Sequence, residues 1–95
     1  MPEYELVMVL SPEVDEDGAA QTVEQVKQFV TQGGGSVTQE EHLGKRKLAY
    51  QINRFDEGNY FLTRMQMDAS MVKGLDDTIK ITEEVIRHIL VKVDR

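Results

Sequence analysis

The stretch Ser36-Val37-Thr38-Gln39-Glu40-Glu41-His42-Leu43-Gly44-Lys45-Arg46-Lys47-Leu48-Ala49-Tyr50-Gln51-Ile52 decides the fold. Its pattern is extended throughout, broken only at Gly44. At ~3.3 Å per residue such a strand would run past about 50 Å, longer than a compact chain of 95 residues is wide. It must therefore bend at Gly44 or project its far end. Asp56-Glu57-Gly58-Asn59 is a cluster of turn formers, and Tyr60 to Met67 is extended again, so the two strands are expected to form a long hairpin.

Working outward, Gly33-Gly34-Gly35 stands immediately before this stretch, where glycine satisfies a left-handed helix C-cap. Ala19, Val23, Val26 and Val30 recur at helical spacing behind Asp15, which can cap the helix, and Glu16 and Asp17, which suit its positive end; a helix over about 16–32 is expected. Tyr4 to Leu10 is dense in strand formers and stops at Ser11-Pro12, giving a first strand at about 3–10. Beyond the hairpin, Asp68 or Ser70 caps a second helix with a stripe of Met71 or Val72, Leu75 and Ile79, and Val85 to Val93 reads as a last strand. The order β-α-β-β-α-β predicts an α+β fold of the ferredoxin-like, split βαβ type. It has a four-stranded antiparallel sheet, first and third strands central, and both helices on one face. Alternation sends Leu6, Met8, Leu10, Phe61, Met65, Met67 and Leu90 toward the helices. Val7, Val9, Tyr60, Leu62, Arg64, Arg87, Ile89 and Val91 face outward, an apolar load that calls for a covering partner.

Size and composition exclude much. Residues 1–95 make one domain, and without cysteine there is no disulfide framework, thiolate metal site or thiol nucleophile. The longest apolar run, Leu6 to Leu10, is far too short to span a bilayer, and the acidic start Met1-Pro2-Glu3 lacks the positive region of a signal peptide, so a soluble intracellular protein is expected. The net charge of −6 is unevenly spread. Residues 1–44 hold Lys27 as their one base against nine acids, whereas residues 45–95 hold ten bases against eight acids, with Lys45-Arg46-Lys47 consecutive. An acidic chain repels a phosphate backbone, so RNA binding must be local or shared with a basic partner.

Tyr4-Glu5 opening an apolar strand, Pro12 behind it, Leu43-Gly44-Lys45-Arg46-Lys47-Leu48-Ala49-Tyr50, Gly58 followed by Tyr60-Phe61, and Val85-Ile86-Arg87 leading to Val91-Lys92 together resemble the bacterial ribosomal protein S6 family over essentially the whole chain. The resemblance implies a non-catalytic, cytoplasmic constituent of the 30S subunit. It would bind the central domain of 16S ribosomal RNA as a heterodimer with the small basic ribosomal protein S18, with no cofactor, metal, membrane or small-molecule substrate. The candidate RNA- or partner-binding residues are Lys45, Arg46, Lys47, Arg54, Tyr60, Arg64, Arg87 and Lys92. Family members commonly carry a base just after the initiator Met; Pro2 and Glu3 stand there in this chain, which argues against an N-terminal phosphate contact.

Other patterns have plainer readings. Lys45 and Lys47 point to one side of an extended strand and Arg46 to the other, and all three could equally guard an edge against aggregation. Arg87 and Lys92, five apart, fall on opposite faces, and both could be ordinary solvated charges. Tyr60 is the one outward ring of the Tyr60-Phe61 pair and the RNP pattern is absent, which argues against stacked-base readout. His42 reads as a surface residue, His88 as a peripheral core residue with a hydrogen-bonded ring, and Asp15-Glu16-Asp17-Gly18 as a helix start, its glycine too early for a calcium loop. The competing functions are an acylphosphatase-type enzyme or a ligand-sensing module of the same topology. The former needs a glycine-rich anion cradle with an arginine after the first strand, where this chain has Ser11-Pro12-Glu13.

Overall fold

In the computed structural model, which describes residues 1–93, Glu3–Leu10 forms strand β1, with Tyr4, Leu6, Met8 and Leu10 all buried as period-two alternation requires. Asp15 then takes an extended conformation and its Oδ1 accepts from the Gly18 N–H at 2.8 Å, starting helix α1, Glu16–Gln32. Glu16 and Asp17 occupy its first turn, and Ala19, Thr22, Val26 and Val30 form the stripe it buries. The glycine triplet ends it, with Gly34 at φ +88° and the Gly35 N–H bonded to the Val30 carbonyl at 2.9 Å. Strand β2, Ser36–Ile52, and strand β3, Phe55–Gln66, make the long hairpin. A single 3-10 turn, Ala69–Met71, is capped by Asp68 through the Ser70 N–H at 3.0 Å and runs into helix α2, Val72–Lys80, whose Leu75 and Ile79 are buried. Strand β4, Val85–Lys92, ends one residue before the expected Val93. Asp94 and Arg95, which close the expected 1–95 domain, lie outside the described residues.

The sheet order is β2-β3-β1-β4, with every pair antiparallel and the two central strands as expected. Leu6, Met8, Leu10 and Met65 of the sheet, with Met67 just beyond β3, meet Val26 and Val30 of α1 and Leu75 and Ile79 of α2 in one core. The cross-strand partners confirm the expected faces: Leu6 lies opposite Thr63 and Leu90 on the helix side, Val7 opposite Leu62 and Ile89 on the open side. β2 bends where required. Gly44 has φ +90° and the pairing with β3 slips between His42 and Gly44, so a strand of 17 residues fits a body 37 Å in its longest dimension.

The hairpin turn differs from expectation. It lies at Asn53-Arg54, with Ile52 opposite Phe55, and Asp56 to Asn59 are inside β3. Asn53 (φ +50°) and Arg54 (φ +71°) are both left-handed, as a two-residue turn matching strand twist requires. Asparagine adopts that conformation readily, but arginine does so only under strain, so the sequence carries no Asn-Gly signal there. Gly58 has a different task. A Cβ on it would lie 2.4 Å from Val9 Cγ1 and 3.2 Å from the Leu10 carbonyl, so glycine is what lets β3 pass over Val9.

Candidate protein and nucleic-acid interface

Helices cover one face of the sheet, and the opposite face displays three cross-strand rows. The first, at the hairpin end, runs Gly44, Tyr60, Val9, Arg87; the second Glu41, Leu62, Val7, Ile89; the third Gln39, Arg64, Glu5, Val91. Ile89 and Val91 are 49% and 48% exposed, an apolar strip along β4. Val9 on the same face is only 4% exposed because the end of the hairpin folds over it.

That folding comes from a second slip in β2. Lys47 pairs with Glu57 and Ile52 with Phe55, so Leu48 to Gln51 all lie opposite the single residue Asp56. The extra length curls across the open face, and Gln51 Nε2 fastens its base to Asp56 Oδ1 at 2.8 Å. It carries Tyr50 to β4, where Arg87 Nη1 donates to the tyrosine hydroxyl at 2.8 Å and the guanidinium lies 5.9 Å from the ring centroid. Arg46, opposite Gly58, stands 5.7 Å over the Tyr60 ring. Both arginines are held by aromatic rings, and neither has a carboxylate partner among the described residues. Arg64 differs. Its Nε and Nη2 each lie 3.1 Å from Glu5 Oε2, so its charge is already compensated.

The eight candidate residues therefore separate. Arg46, Tyr60 and Arg87 gather at the hairpin end of the open face. Arg64 shares the face but is paired. Lys45 and Lys47, in register with Asn59 and Glu57, lie on the helix side, Lys45 lining a cleft with Asp15 and Glu16. Arg54 occupies the hairpin tip, and Lys92 lies opposite Tyr4 on the helix side of β4. The missed member is Tyr50. Only the slip in β2 brings it to Arg87, and nothing in the spacing of residues 48–51 announces that slip.

Three other ionisable groups link elements of the fold. His42 stacks on Phe61, ring centroids 4.4 Å apart and planes within 2°. Lys27 bonds to Glu40 at 2.9 Å across α1 and β2, which raises the lysine above its ordinary value. His88, mostly buried on the helix side, places Nε2 2.6 Å from Asp76 Oδ1, and Lys80 lies 3.0 Å from Asp76 Oδ2. The His88 hydrogen bond, then that of Lys80, hold the Asp76 carboxyl below its ordinary value of 3.8. A depressed carboxylate stabilises the fold fully above the unfolded value and loses that contribution as pH falls through the folded one. Asp76→Asn is accordingly expected to cost roughly 1 kcal/mol at pH 6 to 7, a figure discounted for partial exposure, and almost nothing near pH 2. Urea unfolding of both proteins across that range checks it; a loss that persists at pH 2 would assign the effect to packing.

Among the described residues no three His, Asp or Glu side chains converge as metal ligands, and no helix is long and apolar enough to cross a membrane. Fold and face together define a small α+β module with one sheet face open and two arginines displayed on it. A family model described as ribosomal protein S6 matches residues 3–92. Small ribosomal subunit protein bS6 of Clostridium acetobutylicum is 40% identical over 95 residues, covering all of both chains, and bS6 of Clostridium kluyveri is also 40% identical over the full length of each. The crystal structure of 30S ribosomal protein S6 from Thermotoga maritima superposes with a TM-score of 0.91 at 29% identity, over 97% of this chain and 87% of that one. This chain belongs to the ribosomal protein S6 family, and is a structural, non-enzymatic ribosomal protein.

Proposed function

We propose that the protein works in the cytoplasm as part of the small ribosomal subunit, where with ribosomal protein S18 it holds the central domain of 16S ribosomal RNA. The observation that carries this reading is the open sheet face. It joins an apolar strip, the exposed Ile89 and Val91 with the half-buried Leu62, to two uncompensated guanidinium groups at the hairpin end. The strip suits a protein partner, and the arginines suit phosphate. A chain of net charge −6 gains little from RNA by itself, because phosphate affinity comes from cations that displace counterions. A basic companion supplies those cations and is drawn to the acidic half of this protein.

Alone, the protein is expected to bind ribosomal RNA weakly and with steep salt dependence. In the assembly with partner and RNA, Arg46→Ala should reduce the slope of log affinity against log salt by about 1, and Lys47→Ala by about the same if the helix-side edge also meets phosphate. Filter binding from low to moderate salt measures both. Tight, salt-insensitive binding by the protein alone would defeat this reading, and unchanged slopes would leave both residues as guards of the β2 edge.

A further inference from the structure

The curled end of β2 and the sheet enclose a groove of about 150 Å³ at the hairpin end of the open face. It is lined by Val7, Val9 and Ile89 of the sheet, by Leu48 and Tyr50 of the curl, and by Tyr60. Arg87 lines it beside Tyr50, and Arg46 lies over the Tyr60 ring. The space suits one planar ring system, too small to seat a partner's helix. Tyr60 and Arg87 belong to one cross-strand row with Val9 between them, so they stand two strand spacings, about 10 Å, apart. Arg87 gives one N–H to the Tyr50 hydroxyl; a guanidinium has five, so the rest are available for an anion.

An apolar slot walled by rings and rimmed by uncompensated cations matches an occupant that is planar and aromatic at one end and anionic at the other. A basic protein segment would meet Arg46 and Arg87 as like charges. We propose that this groove holds one unpaired nucleotide of RNA, its base against Val7 and Ile89 beside Tyr50 and Tyr60 and its phosphate on Arg87. Tyr60 is the outward ring of the Tyr60-Phe61 pair, as expected, and the curl of β2 adds Tyr50, which lies outside that pair, as a second ring. The assignment rests on the reading of the open face as an RNA interface and gives that interface a defined point of attachment.

Uridine 5′-monophosphate, uridine and inorganic phosphate are titrated in turn into the full chain, followed by methyl and aromatic NMR. The monophosphate should shift the Val7, Val9 and Ile89 methyls and the Tyr50 and Tyr60 rings saturably, with phosphate alone moving only Arg87. Tyr60→Ala should weaken binding of a short oligouridine roughly tenfold, the scale of one stacked base. Tyr50→Ala should act in the same direction, and because Tyr50 is 62% exposed this variant keeps the fold if Tyr60→Ala does not. Groove methyls unmoved by the monophosphate, or rings that respond to a basic apolar peptide and not to the nucleotide, would overturn the assignment. Assembly of the unaltered protein with its partner and the central domain of 16S RNA is measured in parallel. If assembly is intact and the groove silent, only the nucleotide slot fails; if there is no assembly, the functional reading fails with it.

Discussion

Leu75→Ala is expected to lower the unfolding free energy by about 3 kcal/mol, within the range for truncating a fully buried leucine. Helix α2 has only nine residues, Val72–Lys80, far below the length at which an isolated helix persists in water. Gly74 within it costs a further ~1 kcal/mol relative to alanine. That glycine is retained by packing: a Cβ there would lie 3.0 Å from Phe29 Cζ, so its absence lets α2 lie against α1. The helix therefore persists because Leu75, 0% exposed, and Ile79, 2% exposed, bury their side chains against the sheet. Loss of the first leaves a void under a helix with little intrinsic stability. At about 4 to 8 °C per kcal/mol for a domain of this size, melting should fall by more than ~10 °C. Ile81→Ala, at a site 82% exposed, should move it by almost nothing. A loss below ~1 kcal/mol for Leu75→Ala, read from urea unfolding, would mean that α2 is held by the Asp68 cap before it and the Asp76–His88 bond at its middle, and not by its apolar stripe.

Much of this architecture is legible in the residues because it depends on quantities local to one element. The face of each strand follows from the parity of its side chains, so Leu6, Met8 and Met65 are assigned inward and Val7, Leu62 and Ile89 outward without knowledge of how the strands pair. The start of α1 is equally local: Asp15, its cap, lies three residues from the N–H it accepts. Pairing is a different kind of quantity. The hairpin turn falls at Asn53-Arg54, a dipeptide with no glycine, while the glycine-containing cluster that begins two residues later lies inside β3. The register then slips three times along β2, between Val37 and Gln39, between His42 and Gly44, and between Lys47 and Ile52. Each slip is set by tertiary fit, and their sum decides which arginine meets which ring. Hence Arg64 can be placed on the open face from sequence but its neutralisation by Glu5 cannot, and Tyr50 can be counted as an aromatic residue but not as a neighbour of Arg87. The family resemblance, carried by whole runs of sequence, does not depend on register.

Gly44 and Gly58 separate two reasons for glycine within one hairpin, and the second gives the other large effect. Gly44 has open space around its missing Cβ and needs glycine for φ +90°, whereas Gly58 is buried and lacks room for a methyl. Gly58→Ala would set a carbon 2.4 Å from Val9 Cγ1, where some atom must yield. Val9 is itself 4% exposed and branched at Cβ, with few rotamers to retreat into, and the Leu10 carbonyl at 3.2 Å blocks a backbone shift. Overpacking of this kind is expected to cost about 2 kcal/mol. The strain is relieved by lifting β3, which displaces Arg46, opposite Gly58, from the Tyr60 ring and pulls the curled end of β2 off Val9. RNA attachment should then weaken together with stability, although no charged group has been removed. A double-mutant cycle tests the cause: Val9→Ala deletes the obstructing methyl, so the pair of substitutions should be less damaging than the sum of the singles by about 1 kcal/mol or more. Strict additivity would show that the added carbon is resisted by the backbone at Leu10, in which case a smaller residue at position 9 would leave the hairpin displaced.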